Sequence, residues 1–241
     1  VYGNPSSLHS AGQRAAEVLL DSRKKVARCL GCEAAEIYFT SGGSEADNQA
    51  LVTAAATGKK KGKTHIISTT VEHHAILHTL KELERNGFEV ELLPCDETGA
   101  VTAEQVKNAI KDTTALVTVM YANNEIGTIN PISEIGAVCR EKNVLFHTDA
   151  VQAAGHLAID VQHDNIDMLS LSAHKFHGPK GIGLLFAKSS FQLTSLIRGG
   201  GQERGKRAGT ENLPGIIGLA AALKDAQENM QQNTAYITGL R

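Results

Sequence analysis

Short runs of β-branched and aromatic residues alternate with longer amphipathic stretches along this chain. The short runs cover residues 37–40, 65–68, 88–93, 116–121, 144–148, 168–171 and 183–186. Apolar residues with helical spacing fill most of the gaps, over residues 10–30, 73–86, 102–111, 132–142 and 213–230, and an alanine-rich stretch ends near Gly58. This alternation is typical of βαβ units and predicts one α/β domain, with roughly seven mostly parallel strands sandwiched by helices.

Charge and composition exclude several classes of function. The 24 Lys and Arg residues nearly balance the 26 Asp and Glu residues, so no basic excess indicates nucleic-acid binding. No apolar run approaches the roughly 20 residues of a membrane helix, and the first residues do not resemble a signal peptide. Four scattered cysteines favour a reducing cytoplasm, and the single CxxC pair has no second ligand pair, so no metal site is predicted.

Ligands of open α/β sheets bind beyond the carboxyl ends of the strands, so the residues after each run matter most. Ser41-Gly42-Gly43-Ser44-Glu45 follows the first run and precedes a helix. Glycines permit a tight turn, and free N–H groups at a helix start attract phosphate. A capped helix start without a ligand explains the same residues equally well. A P-loop is excluded because no Gly-Lys-Ser/Thr follows.

Two ionisable residues follow buried runs. Lys175 comes shortly after residues 168–171, ahead of Gly178 and Pro179, where a Schiff-base lysine could be held. A surface lysine is the alternative. Asp149 ends another buried run, and a buried carboxylate needs a cation or hydrogen-bond donors. The pyridine nitrogen of pyridoxal 5′-phosphate (PLP) would be such a partner, and a helix N-cap is the alternative.

Three further segments are less specific. His73 and His74 follow the second run, where a histidine could stack on a planar ring or move protons, although histidines at a helix start are often structural. Asn123-Asn124-Glu125-Ile126-Gly127 follows the fourth run and is also an ordinary turn sequence. The glycine-rich, cationic residues 199–212 are either a flexible loop or donors to a phosphate in a neighbouring subunit.

The order of these motifs is that of a known family. They are Asn4-Pro5-Ser6-Ser7-x-His9, Thr40 to Glu45, Glu72-His73, Asn123 to Gly127, Asp149-x-x-Gln152, Ser172-x-His174-Lys175-x-x-Gly178-Pro179-Lys180-Gly181 and Arg207-x-Gly209-Thr210-x-Asn212. Together they resemble PLP-dependent enzymes of fold type I, class-V aminotransferase-like, and among them the NifS/IscS-like cysteine desulfurases. The resemblance covers nearly the whole chain and implies the large, PLP-binding domain of that fold.

The resemblance implies roles for the residues around the cofactor ring. Lys175 would bind PLP covalently and move protons at the substrate α-carbon, and His73 would stack on the ring and act in acid–base steps. Asp149 would pair with the pyridinium nitrogen. Gln152 would hydrogen-bond to the ring hydroxyl, and Asn124 would contact the cofactor or the substrate carboxylate.

The resemblance also implies a phosphate site and a dimer. Gly43, Ser44, Ser172 and His174 would hold the cofactor phosphate. Ser44 stands where many members have Thr, which keeps the hydroxyl. Thr210 would reach the phosphate of a partner subunit, which implies a homodimer.

The implied activity belongs to a longer protein. That protein would convert L-cysteine to L-alanine and pass sulfur, through a cysteine persulfide, to an acceptor such as an iron–sulfur scaffold protein. We expect residues 1–230 to form the large domain, without its N-terminal segment, and residues 231–241 to begin the connection to a C-terminal domain. The persulfide cysteine and a carboxylate-binding arginine are expected beyond this chain, so the fragment alone is predicted to be inactive as a desulfurase.

Other functions remain open at the level of sequence. A selenocysteine lyase or another class-V PLP enzyme would share these motifs. A cofactor-free fragment for dimerisation or for docking a sulfur acceptor is a hypothesis of a different class. A phosphate-binding NTPase is disfavoured by the missing P-loop lysine.

Overall fold

One seven-stranded sheet organises the computed structural model, which describes residues 2–240. Its strands are β1 (Ile37–Thr40), β2 (His65–Thr69), β3 (Glu89–Leu93), β4 (Thr114–Thr118), β5 (Leu145–Asp149), β6 (Met168–Ser172) and β7 (Gly183–Ala187). Their spatial order is β1-β7-β6-β5-β4-β2-β3. β7 is antiparallel to both of its neighbours, and all other pairs are parallel. The predicted seven-stranded, mostly parallel sheet is confirmed.

Helices connect most of the strands. They are α1 (Ser10–Leu30), α2 (Gly43–Lys60), α3 (His74–Arg85), α4 (Ala103–Ala109), α5 (Ile132–Glu141), the short α6 (Gln202–Gly205), α7 (Leu213–Glu228) and α8 (Met230–Leu240). The predicted helices are present, and α6 and α8 were not predicted. Within residues 2–240, none of the helices has the length and apolarity needed to cross a bilayer. The predicted domain limits stay predictions, and their ends, Val1 and Arg241, lie outside the described residues.

The prediction for the fourth strand is wrong at both ends. The apolar run suggested residues 116–121, whereas β4 covers Thr114–Thr118. The early end has a local cause, because the Met120 N–H donates to the Glu72 carboxyl group (2.9 Å) instead of to a neighbouring strand. The Tyr121 N–H still donates to the β5 backbone (2.9 Å), so the chain stays extended beyond the last strand residue.

The sheet separates two apolar layers. Phe146 and Leu171 project from the strands into a core shared with α1, α4, α5 and α7. Leu116 and Leu185 project to the opposite face, against α2 and α3. Every residue of β4, β6 and β7 is buried, as expected for strands covered by helices on both faces.

Side chains cover the free edge of β1, the first strand of the sheet. An uncovered edge would leave unpaired N–H and C=O groups available to other chains. Glu203 accepts a hydrogen bond from the Phe39 N–H (3.1 Å), and Arg23 donates to the Ile37 carbonyl oxygen (2.6 Å). Arg23 and Glu203 also form a buried two-pronged ion pair, with N–O distances of 2.8 and 2.7 Å. Arg204 donates to the same carbonyl (2.8 Å).

Replacing Glu203 by Gln is predicted to destabilise the fold strongly. The change leaves the Arg23 guanidinium buried beside a neutral amide, and breaking one partner of a buried pair costs about 3–5 kcal/mol. Urea unfolding, followed by circular dichroism, measures the free energy of unfolding.

The exposed pair of Lys224 and Glu228 (3.6 Å) provides the matched control. Glu228→Gln is expected to change the free energy of unfolding by less than about 1 kcal/mol, because exposed ion pairs are weak. Equal effects of the two substitutions would contradict the importance assigned to the covered edge.

Candidate functional site

The carboxyl ends of the parallel strands surround a cavity of about 230 Å³. All predicted site residues except Thr210 line it, namely Gly43, Ser44, His73, Asn124, Asp149, Gln152, Ser172, His174 and Lys175. Strand order explains this arrangement, because β1, β2, β4, β5 and β6 point in one direction and end at the same edge. The sheet therefore brings together residues from five distant segments of the sequence.

One end of the cavity is formed by the start of α2. Gly42 occupies the N-cap position and offers no side chain to the first N–H groups of the helix. A Cβ atom on Gly43 would lie 2.6 Å from Val151 Cγ2, so glycine permits the close approach of this turn to the residues that follow β5. Ser172 and His174 form a hydrogen bond beside it (Oγ to Nδ1, 3.0 Å). Free helix N–H groups with hydroxyl and imidazole groups alongside suit an anion.

Asp149 lies at the last position of β5 and is only 4% exposed. Its Oδ1 atom accepts a hydrogen bond from the Val151 N–H (2.9 Å). Burial raises the pKa of Asp149, while the nearby His73 and Lys175 lower it and so favour the ionised form. A buried carboxylate with so few donors at a cavity wall is suited to an N–H group of a ligand.

Lys175 is held by a short 3-10 turn, Ala173–Phe176, directly after β6. The turn is closed by the Gly178 N–H, which donates to the Ala173 carbonyl oxygen (2.8 Å). A Cβ atom on Gly178 would lie 2.8 Å from the Ala173 side chain, so this closure requires glycine. The half-buried lysine is therefore in a fixed turn, as the sequence around Gly178 suggested.

His73 is the N-cap residue of α3. Its Nδ1 atom accepts a hydrogen bond from the Ala75 N–H (3.1 Å), which makes Nδ1 an acceptor. The histidine thus has a structural role at the helix start, and its ring also lines the cavity. The structural interpretation of His73 is confirmed, while its role in ring stacking or proton transfer stays a prediction.

The two neighbouring asparagines of the turn after β4 have different surroundings. Asn123 is buried and organises the turn, since its Oδ1 accepts from the Glu125 N–H (2.8 Å) and its Nδ2 donates to the Val71 carbonyl (2.9 Å). Asn124 is exposed, lines the cavity, and donates to the Glu125 carboxylate (2.6 Å). Only Asn124 is placed to meet a ligand.

Thr210 is exposed and does not line this cavity. Its segment is nevertheless attached to the site, because Arg207 donates to the Glu45 carboxylate (2.8 Å) in the first turn of α2. Burial alone would raise the pKa of Glu45, but Arg207 and Ser41 lower it below its usual range. The role of Thr210 towards a second subunit stays a prediction.

The sequence analysis gave no role to four residues of the cavity lining or floor. Asp47, Met120 and Val151 line the cavity, and Glu72 is buried next to them. Asp47 carried a recognisable signal, since an acidic residue between Ala46 and Ala50 falls on the buried face of α2. Met120 and Val151 resemble ordinary core residues in sequence, and nothing distinguishes them before the fold is known.

None of the four cysteines lines the cavity. Cys29 is buried in α1 and Cys32 lies in the turn after it. Burial, with Glu36 and Glu33 nearby, raises the pKa of Cys32 to about 12. A thiol with so high a pKa is a poor nucleophile near neutral pH.

Comparison with known proteins agrees with this geometry. The family model for class-V aminotransferases matches residues 1–240. The cysteine desulfurase IscS of Clostridium botulinum (strain Hall) is 57% identical over 240 residues, and that of Methanosarcina thermophila is 50% identical over 240 residues. Both alignments cover 100% of this chain, but only 60% and 59% of the respective relatives. The chain therefore spans about three fifths of the length of these curated relatives.

Solved structures share the fold over almost the whole chain. A NifS-like protein superposes with a TM-score of 0.92 at 41% identity, covering 99% of this chain and 68% of the other. A protein described as SspA in complex with cysteine gives a TM-score of 0.89 at 43% identity, covering 92% of this chain and 65% of the other. The chain belongs to the class-V aminotransferase family, and within it to the NifS/IscS-like cysteine desulfurases.

Proposed function

We propose that this chain is the PLP-binding part of a cysteine desulfurase. In its full-length form, that enzyme would convert L-cysteine to L-alanine and pass the sulfur to an acceptor through an enzyme persulfide. The observation that carries the proposal is Asp149, a buried carboxylate with one backbone donor at a cavity whose other end suits an anion. Lys175 lines the same cavity.

The residues fit the chemical groups of PLP. The phosphate matches the start of α2, where Gly43 and Ser44 offer backbone N–H groups and a hydroxyl. The pyridine nitrogen matches Asp149, whose carboxylate otherwise has few donors for its burial. The carbonyl carbon matches Lys175, and Gln152 is the polar neighbour available to the ring hydroxyl.

When bound, PLP supplies an electron sink for the carbanion that forms at the substrate α-carbon. Asp149 would keep the pyridine nitrogen protonated, and the nearby His73 and Lys175, which lower the pKa of Asp149, would assist by favouring the ionised carboxylate. Lys175 would hold the cofactor through its ε-amine and, once released, would move a proton at the substrate α-carbon. His73, whose Nδ1 accepts from the Ala75 N–H at the start of α3, lines the cavity and would stack on the cofactor ring and act in acid–base steps.

The substrate and partners are proposed from the family. One solved relative is described in complex with cysteine, and the curated relatives named above are cysteine desulfurases. We propose L-cysteine as the substrate, a homodimer in which Thr210 reaches the partner's phosphate, and an iron–sulfur scaffold as an acceptor in the cytoplasm. The persulfide cysteine and the carboxylate-binding arginine would come from residues beyond this chain, which alone would bind PLP without desulfurase activity.

Lys175→Ala is predicted to abolish covalent PLP binding. The wild-type chain mixed with PLP should develop a visible absorption band that borohydride removes, with the cofactor then fixed on the peptide that contains Lys175. The variant lacks the ε-amine that forms the covalent link and should show neither the band nor the labelled peptide.

Lys107→Ala is the control, because Lys107 is an exposed lysine away from the cavity. It should form the band like the wild type. A band of equal size in the Lys175 variant would assign the covalent link to another amine and contradict the proposal.

Asp149→Asn is predicted to weaken PLP binding about 10- to 100-fold. The change preserves shape but removes a charge-assisted hydrogen bond, which contributes roughly 1.5–3 kcal/mol. Titration of the apoprotein with PLP, followed by the quenching of intrinsic tyrosine fluorescence, measures the affinity.

Asp112→Asn, at an exposed aspartate, controls for the general loss of one negative charge. Its PLP affinity should equal that of the wild type. If the Asp149 variant also binds PLP with unchanged affinity while remaining folded, the carboxylate does not face the pyridine nitrogen.

A further inference from the structure

Three buried carboxyl groups lie together beneath the cavity. Asp47 is 1% exposed, Asp149 4% and Glu72 5%. One carboxylate oxygen of Asp47, one of Asp149 and a ring nitrogen of His73 all lie within 4.8 Å of one another. Ionising all three buried carboxyl groups would have a large desolvation cost. The local structure therefore determines which of them are protonated.

Of the three carboxyl groups, Asp149 is the best placed to carry a negative charge. It accepts a backbone hydrogen bond from Val151, and that bond together with the nearby His73 and Lys175 lowers its pKa. These groups approach it from three different segments of the chain, so the negative charge of the floor is best accommodated on Asp149.

Asp47 has fewer partners than Asp149. The Ser170 hydroxyl hydrogen-bonds to it and lowers its pKa, but its Oδ1 atom accepts no hydrogen bond from any residue between 2 and 240. The nearest ring nitrogen belongs to His147, 3.7 Å away, and burial lowers the pKa of His147 to about 3. A neutral imidazole provides no positive charge for a carboxylate.

His147 is itself fixed by two hydroxyl groups. Its Nδ1 atom bonds to Thr118 Oγ1 (2.9 Å), and its Nε2 atom bonds to Ser170 Oγ (3.0 Å). Both ring nitrogens are therefore engaged inside the sheet. The imidazole cannot turn to pair with Asp47 without breaking a buried hydrogen bond.

Glu72 is the third carboxyl group and is anchored on one side only. Its Oε1 atom accepts from the Met120 N–H and from Thr69 Oγ1, both at 2.9 Å, while Oε2 accepts no hydrogen bond from any residue in the described range. Burial raises the pKa of Glu72 to about 8, although the two donors lower it. Glu72 is therefore mostly protonated at neutral pH.

We propose that Asp47 is a positioning residue that holds a proton in the cavity floor and thereby leaves the negative charge on Asp149. The inference rests on the proposed function in one respect, namely that Asp149 faces the pyridine nitrogen of PLP. If Asp47 and Glu72 are protonated, Asp149 is the one charged carboxylate of the three. Asp149 is also the residue that would pair with the single N–H of the cofactor ring.

The proton on Asp47 makes stability depend on pH. Burial, followed by the charge of Asp149, raises the pKa of Asp47 above its unfolded value, although a hydrogen bond from Ser170 lowers it. The folded chain therefore keeps a proton that the unfolded chain releases, and this stabilisation is lost as the pH rises from about 4 towards the folded pKa. The titratable groups that surround Asp47 are Asp149 and His147 of β5, Glu72 and His73 before α3, and Lys175 after β6.

Asp47→Asn tests the proposal in the apoprotein, because an amide imitates the neutral acid and cannot titrate. The variant's unfolding equilibrium constant relative to wild type should fall as the pH rises above about 4, by up to about tenfold per pH unit, until the folded pKa of Asp47 is reached. A purely structural loss would give a ratio that does not change with pH. A flat ratio would overturn the proposal. Asp112→Asn, at an exposed carboxyl group, should give a flat ratio.

Infrared spectroscopy reads the proton directly. The wild type at neutral pH should show the carbonyl stretch of a protonated carboxylic acid, and part of that band should be missing in Asp47→Asn. This part should persist when PLP is added to the wild type. Absence of any difference band, or its loss on addition of PLP, would overturn the proposal.

The two proposals fail in different ways. If the wild type takes up no PLP, the proposed function fails, while the apoprotein measurements still decide whether Asp47 is protonated.

Discussion

The common direction of six strands is the constraint on which the site depends. Parallel pairing sets the register of each strand against the next, so the residues that follow β1, β2, β4, β5 and β6 reach one edge at nearly the same level. β7 alone runs the other way, and its first residue, Gly183, pairs with both Thr40 and Ser172. Gly183 thus lies between the end of β1, which leads into the glycine turn before α2, and the end of β6, which leads to Lys175.

Gathering polar groups at a buried edge has an electrostatic cost that the local structure reduces. The start of α2 contributes unpaired N–H groups and hence positive potential at one end of the cavity. The same cavity contains Asp149, with His73 and Lys175 close enough to lower its pKa. The site therefore combines positive potential at a helix start with a buried carboxylate, which suits a ligand that carries both an anionic group and a protonated ring nitrogen.

Sequence reasoning succeeded where a residue's location follows from its place after a strand. Lys175 and Asp149 were placed at the ligand-binding end of the sheet in this way, and the β-branched runs located all seven strands. It failed where a role depends on a neighbour distant in sequence. The end of β4 is determined by the Glu72 carboxyl group, which takes the Met120 N–H, and Asp47 becomes part of the cavity only because α2 packs across the sheet.

The glycine-rich segment 199–212 is a second case in which contacts with residues distant in sequence determine the local structure. Its composition suggested a flexible loop, yet Glu203 (φ 46°) and Arg204 (φ 58°) adopt left-handed conformations that cost free energy for residues other than glycine. Buried contacts of Glu203 with Arg23 and the β1 backbone offset that cost. Arg207 ties the segment to the first turn of α2 through Glu45. Because the segment is held at both points, Thr210 is attached to a fixed part of the fold, as its predicted role towards a second subunit would require.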